Sequence, residues 1–99
     1  MVRHIVSWNY KEEYSDVEKK EIQTKLKHDL ERLKDIIPGV ISIEVIVSPL
    51  SSSNKDIVLN SLLESEEALN LYQIHEEHKK VGQYIGTVLS NRVCIDYTE

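Results

Sequence analysis

The sequence holds one cysteine in 99 residues, Cys94, so no internal disulfide can form and no cysteine-based zinc cluster can be assembled. No stretch approaches the roughly 18 consecutive apolar residues that a transmembrane helix needs. The first residues show no basic segment leading into an apolar run and small residues, the pattern of a secretory signal. Together these absences make a reducing cytoplasm the expected setting. Positive charge is also short. Twelve Lys and Arg face 17 Asp and Glu, for a formal net charge of −5 and a pI near 5.3. Phosphate contacts need a basic surplus, so neither nucleic acid nor an anionic membrane is an expected partner. The basic residues between Lys11 and Lys34 are interleaved with acidic ones and read as a solvated helix face. GxGxxG, P-loop, GxSxG and HExxH patterns are all missing, so the common nucleotide, hydrolase and zinc-protease chemistries have no visible carrier.

What is present is an apolar fraction of 40% and a charged fraction of 29%, enough to bury a core, in one expected domain over residues 1–99. Residues 2–8 are rich in β-branched and aromatic types and predict a strand. Ser15 and Glu18 have capping-box spacing. Ile22, Leu26, Leu30, Leu33 and Ile37 then fall on one stripe at about 100° per residue, which predicts an amphipathic helix closed by Pro38-Gly39. Residues 40–47 alternate as a second strand, a Ser-rich loop follows, and residues 56–63 form a third. Ser65 caps a second helix, with Ala68, Leu71, Tyr72 and His75 expected on one face. Helical character should continue, with a break, toward Leu89, and residues 92–97 close the chain as a fourth strand.

The order β-α-β-β-α-β is the split βαβ arrangement of an α+β, ferredoxin-like sheet with both helices on one face. The strands nevertheless carry hydrocarbon on both faces: Ile5 against Val6 and Trp8 in the first, and Ile57, Leu59 and Leu63 against Val58 and Leu62 in the third. Two helices cover only one face, and a bare apolar face exceeds what monomers usually expose. A second copy of the chain is therefore the expected partner, in a two-fold dimer with a barrel-like core.

Candidate chemistry rests on histidines and aromatics. His4 shares a strand face with Val6 and Trp8, a face not obviously needed to seat the helices. It reads as a half-buried histidine satisfied by a carbonyl, or as a group that titrates in a chamber between two sheets. Trp8 reads as core, with an indole N–H that needs a partner if buried. His75 and His78 have i,i+3 spacing, and two such imidazoles can share a metal with a third ligand from His4 or Asp56, although the wider spacing pattern of a metal site is missing. A metal-free reading is also open, in which a neutral histidine removes a proton beside a carbonyl and a tyrosine donates to the oxygen that gains charge.

The opening Val2-Arg3-His4-Ile5-Val6, the Ile37-Pro38-Gly39-Val40 junction and Asp56-Ile57-Val58-Leu59 appear in a suggestive order. They are followed by Tyr72…His75-x-x-His78 and the closing Val93-Cys94-Ile95-Asp96-Tyr97. In this order and spacing the chain resembles the stress-responsive α/β-barrel (Dabb) domain family over essentially its whole length. The resemblance implies a ferredoxin-like fold and a dimeric α+β barrel. It also implies what the family's plant cyclase does in forming olivetolic acid from a linear polyketide thioester, where a histidine base and an assisting tyrosine work with no metal or organic cofactor. The matching positions here are His78 for the base, Tyr72 for its partner and His4 for a further pocket histidine. Two departures stand out: Glu76 replaces a proline common in the family's His-Pro-x-His, and Asp56 stands where the cyclase has another pocket histidine.

The first expected function is thus a homodimer that binds a small, partly apolar molecule in a cavity between sheet and helices, lined by His4, Trp8, Tyr72 and His78, with His75 and Asp56 as further ligand-binding candidates. The alternatives are a cofactor-free cyclase or isomerase, a structural stress-assembly protein, and the haem-degrading and quinol-type monooxygenases of the wider superfamily.

Overall fold

Nine residues of extended chain, Val2–Tyr10, form β1 and run through the middle of the sheet. The computed structural model describes residues 1–99. After β1 come α1 (Asp16–Glu31), a 3-10 turn (Arg32–Asp35), β2 (Val40–Ile46), β3 (Ile57–Leu63), α2 (Glu66–Ile74), α3 (Glu76–Val88) and β4 (Leu89–Thr98). The strand order is β2-β3-β1-β4 and every pairing is antiparallel, which is the expected ferredoxin-like α+β topology.

The capping box forms as its spacing predicts. Ser15 Oγ accepts from the Glu18 amide at 3.2 Å, and the Ser15 amide donates back to Glu18 Oε1 at 3.0 Å. These bonds fix where α1 starts and therefore which stripe faces the sheet. Ile22, Leu26, Leu30, Leu33 and Ile37 are all buried. The regular helix, however, stops at Glu31, and the 3-10 turn carries Leu33 into the core. The chain then reverses at Gly39, whose φ is +87°. A Cβ there would lie 2.7 Å from that of Ala68, so both the backbone angle and the close approach of α2 require glycine.

The second helical region is two helices that meet at His75, with φ −65° and ψ 139°. His75 ends α2 and caps α3, its Nδ1 accepting from the Glu77 amide at 3.1 Å. Glu76 is the first residue of α3. Proline is favoured at that position because the first helical N–H has no intrahelical partner, so the break forms without it. On α2 the buried residues are Ala68, Leu69 and Tyr72, whereas Leu71 is exposed. Leu71 therefore does not share the buried face with Tyr72 as expected, because α2 rests on the sheet through its 68–69–72 edge.

One expectation about the sheet is reversed. Val2, His4, Val6 and Trp8 point toward the helices and are buried, with Ile57, Leu59, Ser61 and Leu63 beside them on β3. The face away from the helices carries Ile5, Val58 and Leu62, with Val93, Ile95 and Tyr97 from β4. The physical reason is volume: Val2, Val6 and Trp8 offer the core far more hydrocarbon than Ile5, which is flanked by Arg3 and Ser7.

Candidate functional site

The pairing of β1 with its neighbours sets up the site. His4 lies opposite Asp96 on β4 and opposite Ser61 on β3. Its carbonyl accepts from Ser61 Oγ at 2.9 Å, and its Nδ1 meets Asp96 Oδ1 in a short contact. The imidazole is 2% exposed. A carboxylate on one ring nitrogen orients the ring and directs the other nitrogen away from β4.

Above it stands Tyr72 from α2, edge-on to His4 with ring centroids 6.1 Å apart, and 4.5 Å from the ring of His78 on α3. The Tyr72 hydroxyl is buried and has no hydrogen-bond partner. Burial pushes this phenol well above its ordinary range, so it stays protonated as a donor. His78 is held below the usual imidazole range, first by burial and then by the charges of His4, Arg92 and His75, against an opposing bond with the Gln73 backbone. At neutral pH it is an uncharged base.

Between the sheet and α3 lies a cavity of about 320 Å³. Val6, Trp8, Leu30 and Leu59 give it apolar walls, and His4, His78 and Arg92 reach it as polar groups. Gly82 and Gly86 line its helical side, and a Cβ on either would meet nothing within 4 Å. This chamber lies between sheet and helices, where the expected function puts it, and only the alternative reading of His4 as a group between two sheets is corrected.

Of the predicted site residues, His4, Trp8 and His78 line the cavity. Tyr72 is packed behind them, touching both histidines without forming part of the wall. His75 is committed to capping α3, so the i,i+3 metal pair with His78 does not form. Asp56 is also elsewhere: its Oδ2 accepts from the Tyr10 amide at 2.9 Å and its amide donates to the Trp8 carbonyl at 3.0 Å, which ties β3 to the end of β1. Both of these ligand-binding assignments are corrected by the backbone bonds the side chains make.

Three residues at the site were not anticipated: Arg92, Cys94 and Asp96. Strand alternation places them on one face of β4, but only the β1–β4 register brings them to His4. Donor atoms of His4, Cys94 and Asp96 lie within 4.8 Å of one another, and their types would suit a borderline-soft cation. Burial, and then the Asp96 carboxylate, push the Cys94 thiol up, so it is a poor nucleophile.

Fold and cavity together define a ferredoxin-like α+β domain with a partly apolar pocket under its helices. The chain belongs to the stress responsive A/B barrel domain (Dabb) family, whose family model matches residues 2–99. No curated protein matches its sequence. Among solved structures it is similar to a dimeric, ferredoxin-like protein of unknown function from Bacteroides fragilis, at 26% identity and a TM-score of 0.90 over 99% of this chain and 95% of that one. A dimeric ferredoxin-like protein of unknown function from Thermobifida fusca is similar at 21% identity and a TM-score of 0.81, covering 99% and 90%. Hydroxynitrile lyase from Passiflora edulis shares the fold at 16% identity and a TM-score of 0.76, covering 97% and 90%.

Proposed function

We propose that this chain is a homodimeric Dabb protein that binds a small, partly apolar molecule in the cavity between sheet and helices. The observation that carries the reading is the cavity itself: about 320 Å³, apolar on most sides, with two imidazoles converging on it. Ligand sites have this mix of hydrocarbon walls and a few fixed polar groups. The homodimer is supported by the bare sheet face, where Val93, Ile95 and Tyr97 are 53%, 57% and 43% exposed, and by the two similar proteins described as dimeric. Expected work in the cytoplasm rests on the reduced, single-cysteine composition, and no helix is long and apolar enough to cross a membrane. The test is a thermal-shift screen of small aromatic and aliphatic compounds against wild type and Gly86→Leu, which fills the helical wall. Compounds that raise the melting temperature of wild type but not of the filled variant support the reading. A screen without such compounds ends it.

A second reading, a cofactor-free lyase or isomerase, is favoured by one specific feature: an uncharged His78 beside a buried Tyr72 hydroxyl that bonds to nothing. His78 would take a proton from carbon next to a carbonyl, and Tyr72 would donate to the developing oxyanion after a small shift of its ring. Deuterium exchange into a bound ketone, followed by NMR in heavy water, tests this directly. Exchange that disappears in His78→Gln supports catalysis; exchange unchanged by that substitution removes His78 as the base.

A further inference from the structure

The charges around the cavity run opposite to those of the whole chain. Acidic residues outnumber basic ones 17 to 12 in the sequence, yet none of the 14 cavity-lining residues is Asp or Glu. The ionisable groups among them are His4, His78 and Arg92. Asp96, the carboxylate beside His4, is engaged by that imidazole and lies outside the wall. The space is therefore bordered by a permanent cation and two nitrogen bases, with no negative charge facing it.

Arg92 is aimed there by a backbone irregularity. Between the Ser7–Val93 and Asn9–Ser90 pairs, two residues of β4, Asn91 and Arg92, oppose the single residue Trp8. Asn91 takes up the extra length in the left-handed region, at φ 55°, and its carbonyl accepts from Lys55 Nζ at 2.9 Å. This bulge keeps Leu89 and Arg92 on the same side of the sheet although they are three positions apart, an odd spacing that simple alternation would put on opposite faces. Leu89 joins the apolar lining and Arg92 reaches the rim. The guanidinium lies near the Cys94 thiol and takes part in none of the chain's ion pairs, so its planar fork is free to take a carboxylate.

Resting on the reading that the cavity binds a small molecule, we infer that its ligand class is the apolar carboxylate: an aromatic or short aliphatic acid. Arg92 receives its anionic head at the rim, and Trp8, Leu30 and Leu59 receive its hydrocarbon body. A neutral molecule of the same shape would leave the rim guanidinium without a partner and gain only the apolar contacts. A dicarboxylate would have to desolvate its second charge among those walls.

The experiment compares 4-butylbenzoate with its neutral counterpart 4-butylbenzamide by calorimetric titration of the intact protein at pH 7.5 and low salt. Wild type, Arg92→Gln, Arg92→Lys and Gly86→Leu are each measured, with NMR amide spectra confirming that every variant is folded. The inference expects the acid to bind wild type at least about tenfold more tightly than the amide, in line with a charge-assisted contact. Arg92→Gln should weaken the acid to the level of the amide and leave the amide unchanged. Arg92→Lys, a point charge without the fork, should fall between. Equal binding of acid and amide to wild type, or a ratio untouched by Arg92→Gln, overturns the carboxylate class. If that binding is also lost in Gly86→Leu, the cavity reading survives the loss. Failure of both probes to bind wild type overturns the inference and the cavity reading for ligands of this size. Binding that Gly86→Leu leaves intact places both probes elsewhere and overturns both readings.

Discussion

The two faces of this one sheet invert the usual division between polar outside and apolar inside. The face under the helices contains the core and also the chemistry: His4 and Ser61 are 2% and 0% exposed among valines and leucines. The other face has no helix over it, yet it presents Ile95 and Val93 more than half exposed. The same alternation built both. The covered strands can keep polar side chains because both are answered, Ser61 by the His4 carbonyl and His4 by Asp96. Buried polarity is tolerable when it is bonded and costly when it is not. The bare face has hydrocarbon without cover, which is the signature of a surface made to meet another.

The comparison can be broken from either side. The largest effect is expected from the covered face: Leu26→Ala removes a fully buried side chain from the stripe of α1 and should cost about 2–5 kcal/mol in denaturant unfolding. On the bare face, Ile95→Lys should leave the fold intact but weaken self-association at least about a hundredfold, since a charge at the centre of an apolar interface must be desolvated. Sedimentation at micromolar concentration should then find the 11.5 kDa chain alone instead of twice that mass. A wild-type chain that sediments as a monomer removes the dimer altogether.

A smaller change is expected at the one unanswered polar atom of the covered face. Tyr72→Phe deletes a hydroxyl that bonds to nothing, so stability in chemical denaturation should change by less than about 1 kcal/mol, with either sign. A larger loss would show that the hydroxyl does find a partner in solution. The smallest effect is a slope. His78 has a folded pKa below its ordinary value of 6.5, so the unfolded chain takes up its proton first as pH falls. The stability this group contributes is complete above pH 6.5 and is lost as the pH falls through its folded value. Melting temperature should therefore drop more steeply from pH 7.5 to 5 in wild type than in His78→Gln; identical slopes would show that His78 is not shifted.

Much of the architecture was legible because it follows from local rules. The Ser15–Glu18 box, the α1 stripe and the alternation of β2 and β3 each depend on neighbours a few residues away. So does the two-sided apolarity that called for a second copy. What escaped was set by pairing at a distance. Asp96 belongs to the site only because the β1–β4 register puts it opposite His4, and Arg92 only because a bulge at Asn91 changes the phase of the strand. Asp56 was misplaced for the complementary reason: a carboxylate at a strand entrance looks free in sequence, yet the Tyr10 amide claims it. Leu71 was misplaced because a short helix resting on one edge buries fewer positions than a full amphipathic stripe suggests.

The break at His75 sets the distance between the two residues on either side of it. On an unbroken helix, residues six apart point about 240° from each other and sit some 9 Å apart along the axis, so they face away from one another. Here the elbow folds the two limbs until the rings of Tyr72 and His78 stand 4.5 Å apart, like the jaws of a pair of tongs. A residue that touches no ligand thereby governs the grip, and straightening that single joint would disarm the pair while leaving both rings in the chain.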